Sequence, residues 1–309
     1  MASVITLVEL EAVMFLLMFV GGLLRKKNIL TEAGQKSLSD LLLYVILPCN
    51  IFKSFLVEIN GNVWGDFTKV LIICGVVLLT AVFGGRLFFR KVISEKRQLM
   101  KYGLVNGNVA FLGLPVSEGL YGSEGVLNAT IYMIPHRILV WSYGMVLLDE
   151  NTKKEKGIKC VLSLLLQPCM IAAEIGLLFM VFQFQLPSVL QMSAENLGKC
   201  LFPMSMLVIG GILSKTSIKS IVNRESVFFC LVRLVLLPAV AFVVGIFLHT
   251  KGAALGVSVV MAGMPGASIT AILAGQFGLD QEFASEMVAL STVLSAVSIP
   301  VWSFLAQLM

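Results

Sequence analysis

Ten apolar runs, each about as long as a bilayer is thick, constrain the fold of this chain more than any other feature. A helix needs about 20 consecutive apolar residues to cross the hydrocarbon core of a membrane. Lipid offers no hydrogen bonds, so a crossing segment must satisfy its own backbone groups. The pattern predicts an all-α integral membrane protein with ten transmembrane helices. The runs cover residues 4–24, 37–57, 67–89, 98–121, 125–148, 158–183, 196–214, 226–248, 252–276 and 283–308.

Composition agrees with a membrane protein and excludes several functions. Hydrophobic residues make up 58% of the chain and charged residues 13%, whereas a soluble domain is about 25% charged. The first run carries Glu9 and Glu11 where a signal peptide has Lys or Arg, so we expect it to remain in the mature protein. The net charge of +5 is explained by the loops and does not indicate a nucleic-acid partner. The six cysteines form no CxxC, and neither a metal nor a cofactor is predicted.

Lysine and arginine residues are distributed unequally between the two sides of the predicted membrane. The connections after runs 1, 3, 5 and 7, together with the run ends beside them, contain 17 of them, whereas the opposite side contains only Lys53, Lys69, Lys199 and Lys251. Short cytoplasmic loops are enriched in these residues. We therefore expect the plasma (inner) membrane with the basic loops in the cytoplasm and both termini outside.

Short sequence matches recur in the same order in the two halves of the chain. They are Pro48 with Pro203 (offset 155), Gly113-Leu114-Pro115 with Gly263-Met264-Pro265 (offset 150), and Val140-Trp141-Ser142-Tyr143 with Val301-Trp302-Ser303-Phe304 (offset 161). Each half has five runs, an odd number, so the second half must insert upside down. A 5+5 inverted repeat with matching Gly/Pro-interrupted segments is typical of secondary transporters and indicates their substrate site.

The segment Tyr102–Gly122 breaks the rules for a membrane helix, because it contains five glycines, two asparagines and a proline. Each Gly costs about 1 kcal/mol and a Pro about 3 kcal/mol relative to Ala in a helix interior. Pro115 and Pro265 each remove a helical hydrogen bond. We expect helices 4 and 9 to be broken there and to cross, with the half-helix ends meeting at the midplane. The alternative is an ordinary proline kink in each helix.

Polar side chains beside these breaks are the predicted substrate ligands. The Asn108 and Asn106 amides offer donors and acceptors for a carboxylate without the cost of a buried charge, although interhelical hydrogen bonds are an alternative role. Ser268 and Thr270 could add hydroxyls, or bond back to their own helix. The predicted site comprises Asn108, Asn106, Gly113, Pro115, Pro265, Gly266, Ser268, Arg137, His136 and Asn50.

Ionisable residues inside the runs need partners, since a charge at the bilayer centre costs roughly 2.5–3.5 kcal/mol on insertion scales. Arg137 lies at the middle of run 5, where it could be the counter-ion of an anionic substrate or pair with Glu174 or Glu118. His136 is either a hydrogen-bonded core residue or a proton relay. Arg233 lies about two turns from the cytoplasmic end of its run, so we expect it to snorkel to the interface.

The run from Asn108 through Gly113-Leu114-Pro115 to Leu120-Tyr121-Gly122 resembles the fourth-helix signature of the auxin efflux carrier family. The segments around Met264-Pro265 and Ser298-Ile299-Pro300 resemble the ninth and tenth helices of that family. Only nine residues, 149–157, separate the halves, as in the compact bacterial members of the family.

This resemblance implies a fold similar to that of the bile acid sodium symporters. A scaffold of residues 1–60 and 158–215, often dimeric, would hold a transport domain of residues 61–157 and 216–309. Members carry organic anions such as auxin, malate or malonate, and Asn108 matches the asparagine that contacts the substrate carboxylate.

The sequence favours a secondary carrier for a small carboxylate that works by alternating access, with Na⁺ or H⁺ as a possible coupling ion. No nucleotide-binding or hydrolase motif is present, so an enzyme is not expected. The alternatives are a channel, a symporter of another organic acid and a cation/proton antiporter. The antiporter is disfavoured because neither broken segment contains an aspartate.

Overall fold

Helices form most of the part of the chain that the computed structural model describes, which is residues 4–56, 62–148, 168–214, 222–267 and 269–309. The α-helices are α1 Val4–Lys26, α2 Glu32–Leu41, α3 Leu47–Ser54, α4 Asn62–Phe88, α5 Ser94–Val105, α6 Leu114–Leu139, α7 Met145–Leu148, α8 Pro168–Phe182, α9 Ser188–Lys199, α10 Leu201–Leu213, α11 Arg224–Leu231, α12 Leu237–Phe247, α13 Gly252–Ala262, α14 Ile269–Gln276 and α15 Gln281–Gln307. Wider π-helical turns join α2 to α3, precede and follow α6, and join α11 to α12.

Three of the predicted runs match helices closely. Runs 3, 8 and 10 coincide with α4, α11–α12 and α15, each of which begins two to five residues earlier and ends one residue earlier than the run. Among the described residues, four helical segments are long and apolar enough to cross a membrane, namely Gly65–Lys91, Val109–Leu148, Arg224–Phe247 and Gln281–Gln307. The all-helical membrane fold is therefore confirmed. The predicted connection 149–157 and the first residues of run 6, 158–167, lie outside the described residues.

Side-chain caps explain where several helices begin. The Thr31 hydroxyl accepts the Gly34 N–H at 3.1 Å, Asn223 accepts the Ser226 N–H at 2.8 Å and Asp280 accepts the Phe283 N–H at 2.9 Å. Each cap satisfies one of the donors that the first turn of a helix leaves unpaired. These three polar residues thus fix the start of α2, α11 and α15.

Gly122 divides α6 into two helical pieces. Its backbone has φ +60° and ψ −144°, a conformation that residues with a side chain rarely adopt. The chain bends sharply there, and a Cβ at Gly125 would lie only 2.0 Å from the Ser117 carbonyl oxygen across the turn. The turn lies directly after predicted run 4, which ends at residue 121, and three residues before run 5, which begins at residue 125.

Packing arranges the helices in two neighbourhoods. Helix α1 packs along α10, while α3 packs on α8 and α9. In the second neighbourhood α13 contacts α6, α12, α15 and α4. Apolar stripes remain exposed on the outside, for example Leu79, Phe83 and Leu87 on α4. Their spacing of four residues places them on one helix face, which is the surface that a lipid-facing helix presents.

Candidate functional site where the two interrupted segments meet

The interruptions after α5 and α13 lie against each other. Asn108 donates its backbone N–H to the Pro265 carbonyl at 2.8 Å, and Ala267 donates its N–H to the Asn106 carbonyl at 3.1 Å. The two bonds pair Gly107 with Gly266 in an antiparallel bridge. Each segment thus supplies partners for backbone groups that the other has freed, as non-helical backbone at membrane depth requires. We call this contact the bridge.

The first interruption lies at Asn106–Asn108, seven residues before the proline that was expected to cause it. Pro115 lies in continuous helix just after the π-helical turn Val109–Gly113, so it does not itself interrupt the chain. Pro265, by contrast, lies within its interruption. The bridge therefore pairs Gly107 with Gly266 at an offset of 159, which is close to the offsets of 155 and 161 between sequence matches. The expectation that Pro115 and Pro265 mark equivalent breaks, at an offset of 150, was wrong.

Arg233 is buried beside the bridge, contrary to the expectation that it snorkels. Its side chain is only 3% exposed. Its Nε donates to the Met264 carbonyl and its Nη1 to the Leu104 carbonyl, both at 2.7 Å. Leu104 lies in the last turn of α5, and Met264 follows the end of α13. Carbonyls at helix C-termini lack intrahelical partners and carry partial negative charge. They therefore stabilise the buried guanidinium in place of water.

Gly107 allows Arg233 to come this close. A Cβ at position 107 would lie 1.7 Å from Nη2 and 2.8 Å from Cζ of Arg233. Any side chain there would overlap the guanidinium, so the position requires glycine for steric reasons. The guanidinium is therefore packed directly on the backbone of the bridge.

The two predicted asparagines have different surroundings. Asn106 is buried, and its Nδ2 donates to the Tyr102 hydroxyl at 2.9 Å, one turn earlier. Asn108 is also buried, at 5% exposure, but its side-chain amide makes no hydrogen bond to any residue that the structure describes. An amide in that position has donors and an acceptor available for a ligand.

Several of the other predicted residues surround the bridge. Gly266 donates its N–H to the Ser291 hydroxyl of α15 at 3.2 Å. Gly113 packs closely against α13, and a Cβ at this position would lie only 2.7 Å from the Met261 sulfur. Thr270 is fully buried, and its hydroxyl has no partner among the described residues. Ser268 lies outside the described residues.

His136 and Arg137 lie near the end of α6. His136 is buried, and its imidazole lies beside the backbone of Val105, the last residue of α5. Its Nε2 has no hydrogen-bond partner among the residues in the described ranges. Arg137 is half-buried. The imidazole thus reaches the first interruption from a second helix.

Asn50 belongs to a separate contact between the two helical neighbourhoods. Its Nδ2 donates to Glu118 Oε2 at 3.0 Å and to the Gly198 carbonyl at 3.1 Å. Helix α3 is thereby linked to α6 and to the end of α9. Glu118, considered above as a partner for Arg137, accepts this hydrogen bond, and Glu174 is exposed on α8.

The profile of a family described as Membrane transport protein matches residues 6–303, nearly the whole chain. The chain belongs to this membrane transport protein family. The resemblance to the auxin efflux carriers is thereby confirmed.

Relatives of similar length support the assignment of this membrane transport protein. The chain is 26% identical to an uncharacterized transporter of Methanothermobacter thermautotrophicus, covering 93% of this chain and 94% of the relative. It is 24% identical to one of Methanocaldococcus jannaschii, covering 96% and 98%. It is 21% identical to the uncharacterized transporter YfdV of Escherichia coli, covering 94% and 95%.

A separate cleft of about 280 Å³ lies between α4 and α6 on one side and α3 and α8 on the other. Its lining is apolar apart from Thr68 and Glu174, and none of the predicted site residues lines it. An apolar cleft with a single carboxylate does not suit an anion. The bridge is therefore the better candidate site of this transport protein.

Sequence reasoning missed Arg233 and Gly107 as members of the site. The available signal was an arginine within an apolar run together with an Asn-Gly-Asn triplet in another run. Neither pattern reveals that the two are in contact.

Proposed function

We propose that this membrane transport protein is a secondary carrier for a small organic anion, a carboxylate similar to malate, malonate or auxin. In this proposal ten spans form a 5+5 inverted repeat, and residues 61–157 and 216–309 move as a transport domain against the scaffold. Elevator-type alternating access would present the bridge to each side in turn. The carrier would be a homodimer in the plasma membrane, with both termini outside.

The observation that carries this proposal is the bridge with the unengaged amide of Asn108. Helix beginnings follow it in both segments, since the turn leading into α6 starts at Val109 and α14 starts at Ile269. Helix N-termini offer free N–H groups and partial positive charge to an anion. Broken helices of secondary carriers direct such ends at anionic substrates. The Asn108 amide would add a donor to the carboxylate.

Charge near the bridge also favours an anion over a cation. The guanidinium of Arg233, within a few ångströms of Gly107, occupies the two carbonyls that could otherwise attract a cation. Neither interrupted segment contains an aspartate that could bind a transported cation. An antiporter of cations and protons is therefore a poorer fit than an anion carrier.

The proposal is tested with purified protein reconstituted in liposomes. Counterflow of radiolabelled malate, malonate or indole-3-acetate should be saturable, and the same anion should raise the melting temperature. Asn108→Ala should reduce the affinity at least about tenfold, as loss of a hydrogen bond to a charged group costs about 1.5–3 kcal/mol.

Asn128→Ala is the matched control, because Asn128 is equally buried in α6 but donates to the Glu124 carbonyl of its own helix at 3.0 Å. It should leave the affinity unchanged. If Asn108→Ala binds the anion as the unchanged protein does, Asn108 is not a ligand. Leak that neither saturates nor shows counterflow would indicate a channel instead.

A further inference from the structure

The position of Arg233 has a consequence for ion coupling. Its guanidinium is enclosed, with only 3% of the residue exposed. A buried charge is costly unless it is paired and hydrogen-bonded. In the part of the chain that the structure describes, no carboxylate forms an ion pair with Arg233. Its partners are instead the carbonyls of Leu104 and Met264.

These two carbonyls come from corresponding places in the two interrupted segments. Leu104 lies three residues before Gly107, and Met264 two residues before Gly266, the pair that forms the bridge. Both belong to a helix end that points its partial negative charge at the bridge. In carriers with broken helices, such C-terminal ends and unwound carbonyls coordinate the coupling cation. Here they accept hydrogen bonds from a cation that is covalently part of the chain.

We propose that the Arg233 guanidinium is the resident cation of the bridge, at the place where a carrier of this architecture would bind Na⁺, and that the protein binds its substrate without Na⁺. The guanidinium neutralises both helix ends permanently, so no ion needs to enter before the anion. The role of the Arg233 guanidinium in transport rests on the carrier function proposed above. Arg233 is a positioning residue, because it acts on the bridge through the backbone.

The test measures melting temperature in detergent and requires no substrate, so it can fail or succeed independently of the proposed carrier function. The unchanged protein is compared in choline, sodium, potassium and guanidinium chloride at the same low millimolar concentration. We expect all four curves to coincide. Stabilisation of the unchanged protein by Na⁺ over choline would overturn the proposal.

Arg233→Ala supplies the decisive variant. We expect its melting temperature in choline to be lower by about 5 °C or more, the size typical of removing a buried charged hydrogen-bond partner. Guanidinium should restore much of that loss in a saturable way, because it can occupy the vacated space and bind the same two carbonyls. Loss of stability that guanidinium does not reverse better than choline would overturn the proposal.

Two further variants complete the experiment. Arg90→Ala removes an exposed arginine and should respond equally to the four salts. Arg233→Lys keeps the charge with fewer donors, and we expect it to remain insensitive to guanidinium because the ammonium fills the same space. If Arg233→Ala yields no folded protein, Arg233→Gln takes its place with the same expected rescue. If Arg233→Ala, or Arg233→Gln in its place, is as stable in choline as the unchanged protein, the inference is contradicted.

Discussion

Replacing Gly107 by alanine tests how closely Arg233 packs on the bridge, because it adds only a Cβ atom. The added Cβ would lie 1.7 Å from Arg233 Nη2, whereas nonbonded atoms need about 3.5 Å. The guanidinium must therefore move by more than 1 Å. Its two hydrogen bonds of 2.7 Å would then exceed the usual limit of about 3.2 Å.

The expected cost follows from those two bonds. A hydrogen bond from a charged donor contributes about 1.5–3 kcal/mol, so losing both costs roughly 3–6 kcal/mol. Replacing Gly by Ala recovers up to about 1 kcal/mol by restricting the unfolded chain. The free energy of unfolding should fall by about 2–5 kcal/mol, which corresponds to a melting temperature about 3–8 °C lower for a chain of this length.

The assay is thermal unfolding in detergent, with Gly75→Ala as the matched control. Gly75 lies within α4, and a Cβ there meets nothing within 4 Å, so alanine should be neutral or stabilising by up to about 1 kcal/mol. The double variant Gly107→Ala with Arg233→Ala isolates the cause, because the clash disappears with the guanidinium. Unchanged stability of Gly107→Ala, or an equal cost with and without Arg233, would refute the reasoning.

Two further predictions concern the surroundings of the site. Asn50→Ala should lower the free energy of unfolding by about 1–3 kcal/mol, because it leaves the Glu118 carboxylate without its amide partner. Denaturation of Asn50→Ala beside Glu118→Gln measures this loss. Equal stability of Asn50→Ala and the unchanged protein would contradict the prediction. Gly122→Ala should cost about 1–3 kcal/mol through backbone strain alone, since φ is +60° and a Cβ meets nothing within 4 Å. The same measurement with Gly75→Ala distinguishes strain from a general effect of alanine, and a Gly122→Ala protein as stable as that control would show that the turn is not strained.

The membrane fold and the approximate place of the site were accessible from sequence because their signals are local. An apolar run long enough to cross a bilayer can be recognised from its composition, and Gly, Asn and Pro in such a run indicate that the helix is interrupted. The position of the interruption was less accessible. Pro115 follows the π-helical turn Val109–Gly113 without interrupting the helix, while Asn106–Asn108 are held out of helical conformation by hydrogen bonds to residues about 160 positions away.

The sequence by itself determined that the chain is helical, lies in a membrane and interrupts two of its apolar segments. Only the tertiary structure decided that a guanidinium lies against the bridge, since its partners are backbone carbonyls separated from Arg233 by 31 and 129 residues. A carbonyl is the same at every position of a chain and leaves no trace in the sequence. What makes those of Leu104 and Met264 special is that two helices end side by side there, and this follows from packing alone.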